Sequence, residues 1–360
     1  MKITQLELSD FRNYERLSVS FDDALNILYG DNAQGKTNIL EAIYLCGTTK
    51  SYKGSKEKEM IRLSGEEAHL RLSLEKKGIP HQIDLHLKKN KPKGVAIDKF
   101  PIKKTAELFG LIHLVFFSPE DLGMIKNGPD KRRRFLDLEI CQLDQSYLYA
   151  LAGYNKSLVQ RNNLLKQISY KSDLADTVGI WDAQLAEYGR QLIRARKKFI
   201  SELNEILPEM NEKLSGGKEH LLLKYEPSVS EEDFETKLAM NLERDLILKS
   251  TGCGPHRDDF GFYLGKEDLK VYGSQGQQRT AALSLKLTEL ALVKNKIKES
   301  PVLLLDDVLS ELDRNRQNYL LDSISEMQTI ITCTGLEELI VGRKNYHKIF
   351  HVVNGTVTEQ

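Results

Sequence analysis

The sequence predicts a mixed α/β head assembled from both ends of the chain, with a short helical lever inserted in its middle. Three observations carry this. Residues Gly30 to Thr37 read G-D-N-A-Q-G-K-T, the pattern of a loop that cradles phosphate. The acidic strand such a loop needs, Val302 to Asp307, lies about 270 residues further on. Between them run two heptad stripes of apolar residues, so the head is split: residues 1–125 and 245–360 form it, and residues 126–244 form the lever.

The loop has a specific physics. An apolar strand, Ala24 to Tyr29, runs into Gly30, and a helical stretch follows from Thr37 to Leu45. The glycines let backbone N–H groups face phosphate oxygens, and the helix N-terminus adds partial positive charge. Lys36 then reaches the β- and γ-phosphates of ATP, while the Thr37 hydroxyl ligates Mg²⁺. The cofactor-binding set is therefore Gly30, Asp31, Asn32, Ala33, Gln34, Gly35, Lys36 and Thr37.

Composition narrows the classes. Lys plus Arg equals Asp plus Glu at 52 each, which argues against wholesale binding of a polyanion, so any nucleic-acid contact comes from local patches. The cysteines Cys46, Cys141, Cys253 and Cys333 show no C-x-x-C spacing and read as reduced thiols. No apolar run approaches the length of a membrane span, and the expectation is a soluble, cytoplasmic chain with no membrane partner.

The first 120 residues are strand-rich. Ile3 to Leu8 and Leu17 to Phe21 flank Arg12-Asn13-Tyr14, and Leu70 to Leu74 and Ile83 to Leu87 alternate apolar and polar residues as half-buried antiparallel strands do. Lys88 to Lys104 carries seven lysines against one aspartate, a composition that suits a solvated hairpin or a phosphate-facing one. The middle changes character. Tyr147, Leu151, Tyr154, Leu158, Leu165 and Ile168 fall at four- and three-residue steps, with Arg161 interrupting, and Trp181 to Phe199 repeats the steps. The pair reads as an antiparallel helical hairpin of roughly 30 to 40 Å. Past Pro208 strand character returns at His220 to Tyr225, then a helix from Glu231 to Leu248, a loop Gly252 to Asp259, and a strand Phe260 to Leu264.

The second informative cluster is Gly273-Ser274-Gln275-Gly276-Gln277-Gln278-Arg279, which opens a long helix. Ser274 with Gln277 is also a capping box. The cap does not explain Gly276 in the first turn, where glycine costs about 1 kcal/mol relative to alanine; a glycine there lets backbone approach an anion closely. Val302-Leu303-Leu304-Leu305-Asp306-Asp307 has the composition of a buried parallel strand ending in two carboxylates. Asp306 is placed to hold Mg²⁺ and Asp307 to act as general base. Leu214-Ser215-Gly216-Gly217-Lys218 looks like a cassette signature, but a helix C-cap explains its glycines better.

In this order, the loop, signature helix, Asp-Asp strand and Ser310-Glu311-Leu312-Asp313 turn look like the ABC-type P-loop ATPase heads of the SMC and Rad50 group. Closer still, Phe11-Arg12-Asn13-Tyr14, Phe117-Ser118-Pro119-Glu120-Asp121-Leu122, the run Lys131 to Asp137, Gly254 to Asp259 and Ser274 to Arg279 resemble the RecF family of bacterial recombination mediators, from Lys2 to near the C-terminus. The resemblance adds Arg12 and Asn13 to the cofactor-binding residues. It implies that ATP drives a two-fold homodimer in which Ser274, Gly276 and Gln277 of one chain close over nucleotide held by the loop of the other, with Asp307 and Lys36 catalytic and Thr37 and Asp306 on the metal. It also implies a slow, DNA-stimulated ATPase, nucleoid-associated, that binds single-stranded, duplex or gap-junction DNA and works with RecO and RecR to load RecA.

Two departures stand beside this. Transporter cassettes carry a histidine after the strand that follows the acidic one, whereas this chain has Thr329 to Gly335, leaving γ-phosphate sensing to Thr332 or Thr334; no glutamine occupies the Ser118 to Leu122 stretch. An ABC transporter subunit lacks its switch histidine here, a P-loop kinase has no signature helix, and a chromosome clamp of the SMC kind needs far longer arms. For DNA, the candidate phosphate contacts are Lys131, Arg132 and Arg133 in one run and Arg190, Arg194 and Lys197 on one helix face, either of which also reads as a solvated or salt-bridged surface.

Overall fold

The computed structural model of the chain describes all residues except 169, 171, 218 and 336–345. The chain runs β1 (Lys2–Phe11), β2 (Tyr14–Ser20), β3 (Leu25–Tyr29), α1 (Lys36–Thr48), α2 (Glu57–Met60), β4 (Glu67–Lys76), β5 (Ile79–Lys88), β6 (Lys91–Ile97), β7 (Phe100–Pro101), β8 (Leu114–Phe117) and α3 (Pro119–Leu122). Then come α4 (Pro129–Leu143), α5 (Gln145–Ile168), α6 (Val178–Ser215), β9 (Leu221–Glu226), α7 (Phe234–Met240), α8 (Leu242–Leu248), β10 (Asp259–Leu264), β11 (Glu267–Asp268), α9 (Leu269–Tyr272) and α10 (Gln275–Ile297). The chain closes with β12 (Val302–Asp306), α11 (Arg314–Ser323), β13 (Thr329–Cys333), β14 (Tyr346–Val353) and β15 (Thr356–Glu359).

Two compact units result: residues 1–122 with 289–360, and residues 123–288. In the first, a buried sheet has the order β15-β14-β3-β13-β12-β8, with β14, β3, β13, β12 and β8 parallel. Strand β3 from the N-terminal end is thus flanked by β13 and β14 from the C-terminal end. β12 and β13 are buried along their whole length, as strands covered on both faces are. A second, antiparallel sheet, β2-β1-β4-β5-β6-β7, alternates buried and exposed residues. Gln328 joins the sheets: its amide accepts from Ile3 N at 2.6 Å and donates to Ile3 O at 2.7 Å.

In the second unit α5 and α6 form the antiparallel hairpin, beside the sheet β11-β10-β9. Helix α6 runs through Pro208 to Ser215; the proline ring removes one hydrogen bond without ending the helix. Gly216 (φ 74°) caps α6 in the left-handed region, as the C-cap reading of Leu214 to Gly217 requires, while Lys218 lies outside the described residues. Residues 245–288 group with this unit rather than with residues 289–360, since β10 pairs with β9 and the loop before β10 is tied to α6.

Arg161 does not interrupt its stripe but anchors it. Fully buried, it donates to Asp182 at 2.5 Å, Asp245 at 2.6 Å and the Thr251 hydroxyl at 3.0 Å, tying α5 to α6, α8 and the loop after α8. Removing one partner of a buried pair leaves the other charge uncompensated, which costs about 3 kcal/mol or more. Asp245→Ala is therefore expected to lower the urea midpoint followed by the fluorescence of Trp181 on α6, by an amount corresponding to about 3 kcal/mol; an unchanged midpoint would show the pair to be energetically idle.

Candidate functional site

The loop between β3 and α1 needs its glycines. Gly30 has φ 148° and a Cβ there would lie 2.3 Å from the Val352 carbonyl oxygen; Gly35 has φ 115° and a Cβ would lie 2.4 Å from Asn13 Nδ2. Ala33 also adopts a left-handed conformation, φ 63°. Asn13 braces this backbone, donating to Gln34 O at 3.0 Å and accepting from Asn38 Nδ2 at 2.8 Å. The Gln34 side chain accepts from Asn354 N at 2.6 Å, and its carbonyl accepts from Gly355 N, so the β14–β15 turn also holds the loop. No side chain caps α1; Asn38 N turns back to the Gly35 carbonyl at 2.9 Å, and a helix N-terminus without a side-chain cap suits an anion.

Lys36 is buried and donates to the carbonyls of Gly30 at 2.6 Å and Asp31 at 2.7 Å. Burial pulls its pKa below the ordinary lysine value, opposed by Asp307, Asp306 and Asp31. Asp306, at the end of β12, is the meeting point. Its Oδ1 accepts from Thr37 Oγ1 at 2.8 Å and from Thr332 Oγ1 at 2.9 Å, and its Oδ2 accepts from Tyr52 OH at 3.1 Å. Asp307 follows with φ 52°, and its N–H donates to Thr332 Oγ1 at 2.9 Å. Burial and the neighbouring Asp306 raise the Asp307 pKa. A hydroxyl and a carboxylate in contact form the oxygen donor set a hard divalent cation prefers, so Thr37 and Asp306 fit Mg²⁺.

Other expected residues sit elsewhere. Arg12 makes a bidentate pair with buried Glu41, both bonds 2.9 Å, and also donates to Ser55 Oγ and Glu59 O. All of its guanidinium nitrogens are thereby engaged in clamping residues 51–60 to α1, and not in the phosphate loop. Thr334 is exposed and lines a cavity of about 470 Å³ with Asp31, Gln34 and the Tyr29–His351 pair, whose rings stack at 4.7 Å. Sequence reasoning missed Tyr52, which lies in an aperiodic stretch after α1 and carries no motif.

In the second unit Ser274 and Gln277 form the reciprocal capping box: Ser274 N donates to Gln277 Oε1 at 2.8 Å and Gln277 N to Ser274 Oγ at 3.2 Å. Ser274, Gln275 and Gly276 are exposed, and nothing closer than 4.0 Å would meet a Cβ at Gly276. The basic runs are partly consumed by the fold. Arg132 is buried, bidentate to Asp259 at 2.6 and 2.8 Å, and donates to the Met124 and Asn127 carbonyls. Arg133 donates to Asp258 O at 2.7 Å and pairs with Asp130. These two are structural, which corrects their expected place on a DNA surface. Lys131 and Lys197 are exposed; Arg190 and Arg194 pair with Glu235 and Glu231 at the surface. The Gly254 to Asp259 loop braces rather than faces a ligand: Asp258 accepts from Arg196, Tyr225 OH and Ser228 N. His256, between Tyr154 OH at 2.7 Å and Thr251 O at 3.0 Å, is pushed by burial down to about 4.

The family model for the RecF/RecN/SMC N-terminal domain matches residues 2–358. The DNA replication and repair protein RecF of Agathobacter rectalis is 61% identical over 357 residues, covering 99% of both chains, and that of Lachnoclostridium phytofermentans is 59% identical with the same coverage. The chain belongs to the RecF family. A solved structure of the recombination mediator protein RecF with ATP superimposes with a TM-score of 0.92 at 35% identity, covering 99% of this chain and 97% of that one. An Smc head bound to the winged-helix domain of ScpA shares the fold, with a TM-score of 0.58 at 15% identity, covering 100% and 97%. The fold is thus an ABC-type P-loop ATPase head. Among the described residues no helix of this RecF-family chain is long and apolar enough to cross a membrane, and the four cysteines are buried and in no disulfide.

The raised pKa of Asp307 gives a stability prediction. A carboxyl that holds its proton more tightly folded than unfolded loses stability as pH rises from the unfolded value of about 3.9 through the folded one. Asp307→Asn is expected to raise the thermal midpoint at pH 7 in magnesium-free buffer, with the gain shrinking as the pH falls toward 4. A lowered midpoint at pH 7 would contradict the burial and repulsion assigned to this side chain.

Proposed function

We propose that the chain is an ATP-dependent DNA-binding protein of recombinational repair and replication-fork maintenance, a weak DNA-stimulated ATPase whose nucleotide state controls homodimerisation. The observation that carries this reading is the contact of Thr37 with Asp306 beside the buried Lys36, which joins the loop to the acidic strand. The relatives' names and the solved RecF with ATP support the same direction.

Lys36 exchanges its bonds to the Gly30 and Asp31 carbonyls for the β- and γ-phosphates. Thr37 and Asp306 would hold Mg²⁺, which would supply charge neutralisation on the phosphates. Asp307, with its raised proton affinity, accepts the proton of the attacking water as the bond to the γ-phosphate breaks, yielding ADP and phosphate. Thr332 fixes both aspartates from behind, which suits it to relay the state of the γ-phosphate. The exposed N-terminus of α10, with Ser274, Gly276 and Gln277, closes over the nucleotide of a second copy. ATP binding assembles the dimer on DNA and hydrolysis releases it, helping RecO and RecR load RecA at single-strand gaps. DNA contacts fall to exposed Lys131, Lys197 and Arg194 and half-buried Arg190; the two arginines leave weak surface pairs at little cost.

Sedimentation tests the reading. Wild type is expected to shift from monomer to dimer with ATP and Mg²⁺; Lys36→Ala removes the shift and ATP binding together, whereas Ser274→Arg removes the shift and retains binding by the monomer. ATP-dependent dimerisation of Lys36→Ala, or loss of monomer binding in Ser274→Arg, would overturn the assignment.

A further inference from the structure

The antiparallel sheet of the first unit carries a cluster that nucleotide chemistry leaves unused. In the β4–β5 pair His69 lies directly opposite His86, and Glu67 opposite Lys88. Side chains two apart on a strand point the same way, so Glu67 and His69 share a face with His86. Glu67 Oε2 lies 3.1 Å from His86 Nε2, and Glu67 Oε1 lies 3.6 Å from His69 Nε2. One ligand atom from each of the three residues lies within 4.8 Å of the others. The two imidazoles stack, with ring centroids 3.9 Å apart.

The face beside them is open. His86 pairs on its other side with Gly94, where a Cβ would meet only the His86 Cβ, at 3.7 Å. A trough of about 510 Å³ results, lined by His69, His86, Gly94, Glu7, Arg71 and Asp84.

Two imidazoles and a carboxylate are three of the four ligands of a tetrahedral zinc site. Bond lengths of about 2.1 Å put neighbouring donor atoms about 3.4 Å apart in such a site, and the 3.1 Å between Glu67 Oε2 and His86 Nε2 lies near that value. The bland alternative is an ion-paired surface patch, because Lys88 Nζ already sits 2.9 Å from Glu67 Oε2. A patch held by Lys88 does not need two imidazoles converging on the same carboxylate from adjacent strands.

We propose that Glu67, His69 and His86 form a binding site for a divalent transition-metal cation of the zinc class, with water as the remaining ligand. Nitrogen donors favour zinc, cobalt or nickel over magnesium, so the site is chemically distinct from the oxygen donors Thr37 and Asp306. The metal pins β4 to β5 and displaces Lys88 from the carboxylate.

The test is calorimetric titration of the chelator-treated full chain with zinc chloride in excess Mg²⁺. One equivalent is expected to bind in the micromolar range, weakened about tenfold or more by His69→Ala or His86→Ala. Lys88→Met, which removes the competing cation, tightens binding, and His81→Ala, on the same sheet outside the cluster, leaves it unchanged. Absence of binding to wild type, or an unchanged isotherm in the His69→Ala/His86→Ala double variant, overturns the proposal. Cobalt chloride gives a second readout on wild type alone: visible d–d bands that zinc abolishes support the site, and a featureless spectrum sinks it.

Discussion

The hydrogen bonds that converge on Asp306 come from residues scattered across the chain: Thr37 is 269 residues away, Tyr52 254 and Thr332 26. Closing so long a loop costs only logarithmically in its length, so an insertion the size of the second unit is tolerated. The sheet order depends on the same meeting, because β3 lies between β13 and β14 and Asp306 ends the strand beyond β13. With β12 out of place, Lys36 and Thr37 would face no carboxylate, and the loop would be an anion nest without a metal ligand.

The site stores opposing charge at close quarters. Asp306 raises the cost of charging Asp307, Lys36 offsets part of it, and burial works against both Lys36 and Asp307. Asp307 sits in the left-handed region in addition, a strained conformation of the kind that gathers where function over-determines the backbone. Stability given up there suits a switch that gains its missing partners only with nucleotide and a second subunit.

The parallel sheet and the phosphate loop were legible because they rest on local signals: apolar runs, glycines at required turns, and paired aspartates. The helical hairpin was legible from its periodicity, but its role for Arg161 was not, since a buried arginine looks like a break in a stripe until Asp182 and Asp245 arrive from distant segments. The same blindness affected Arg132 and Arg133. A run of cations carries no mark of which members the fold uses, and here Asp259 and the Asp258 carbonyl, about 125 residues on, take two of them. Arg12 belongs with these, bound to Glu41 on α1. Tyr52 was invisible because hydroxyl placement at 254 residues of separation leaves no pattern in the chain.

The claim that each nucleotide site is completed by a second copy is tested most directly by mixing two inactive variants. In a heterodimer of Lys36→Ala with Ser274→Arg, one site carries both defects and the other pairs an intact loop with an intact α10 N-terminus. The account predicts that DNA-stimulated ATP hydrolysis, absent from either variant alone, returns on mixing to a fraction of the wild-type rate. Activity that stays absent across all mixing ratios, in samples where heterodimers form, would contradict it.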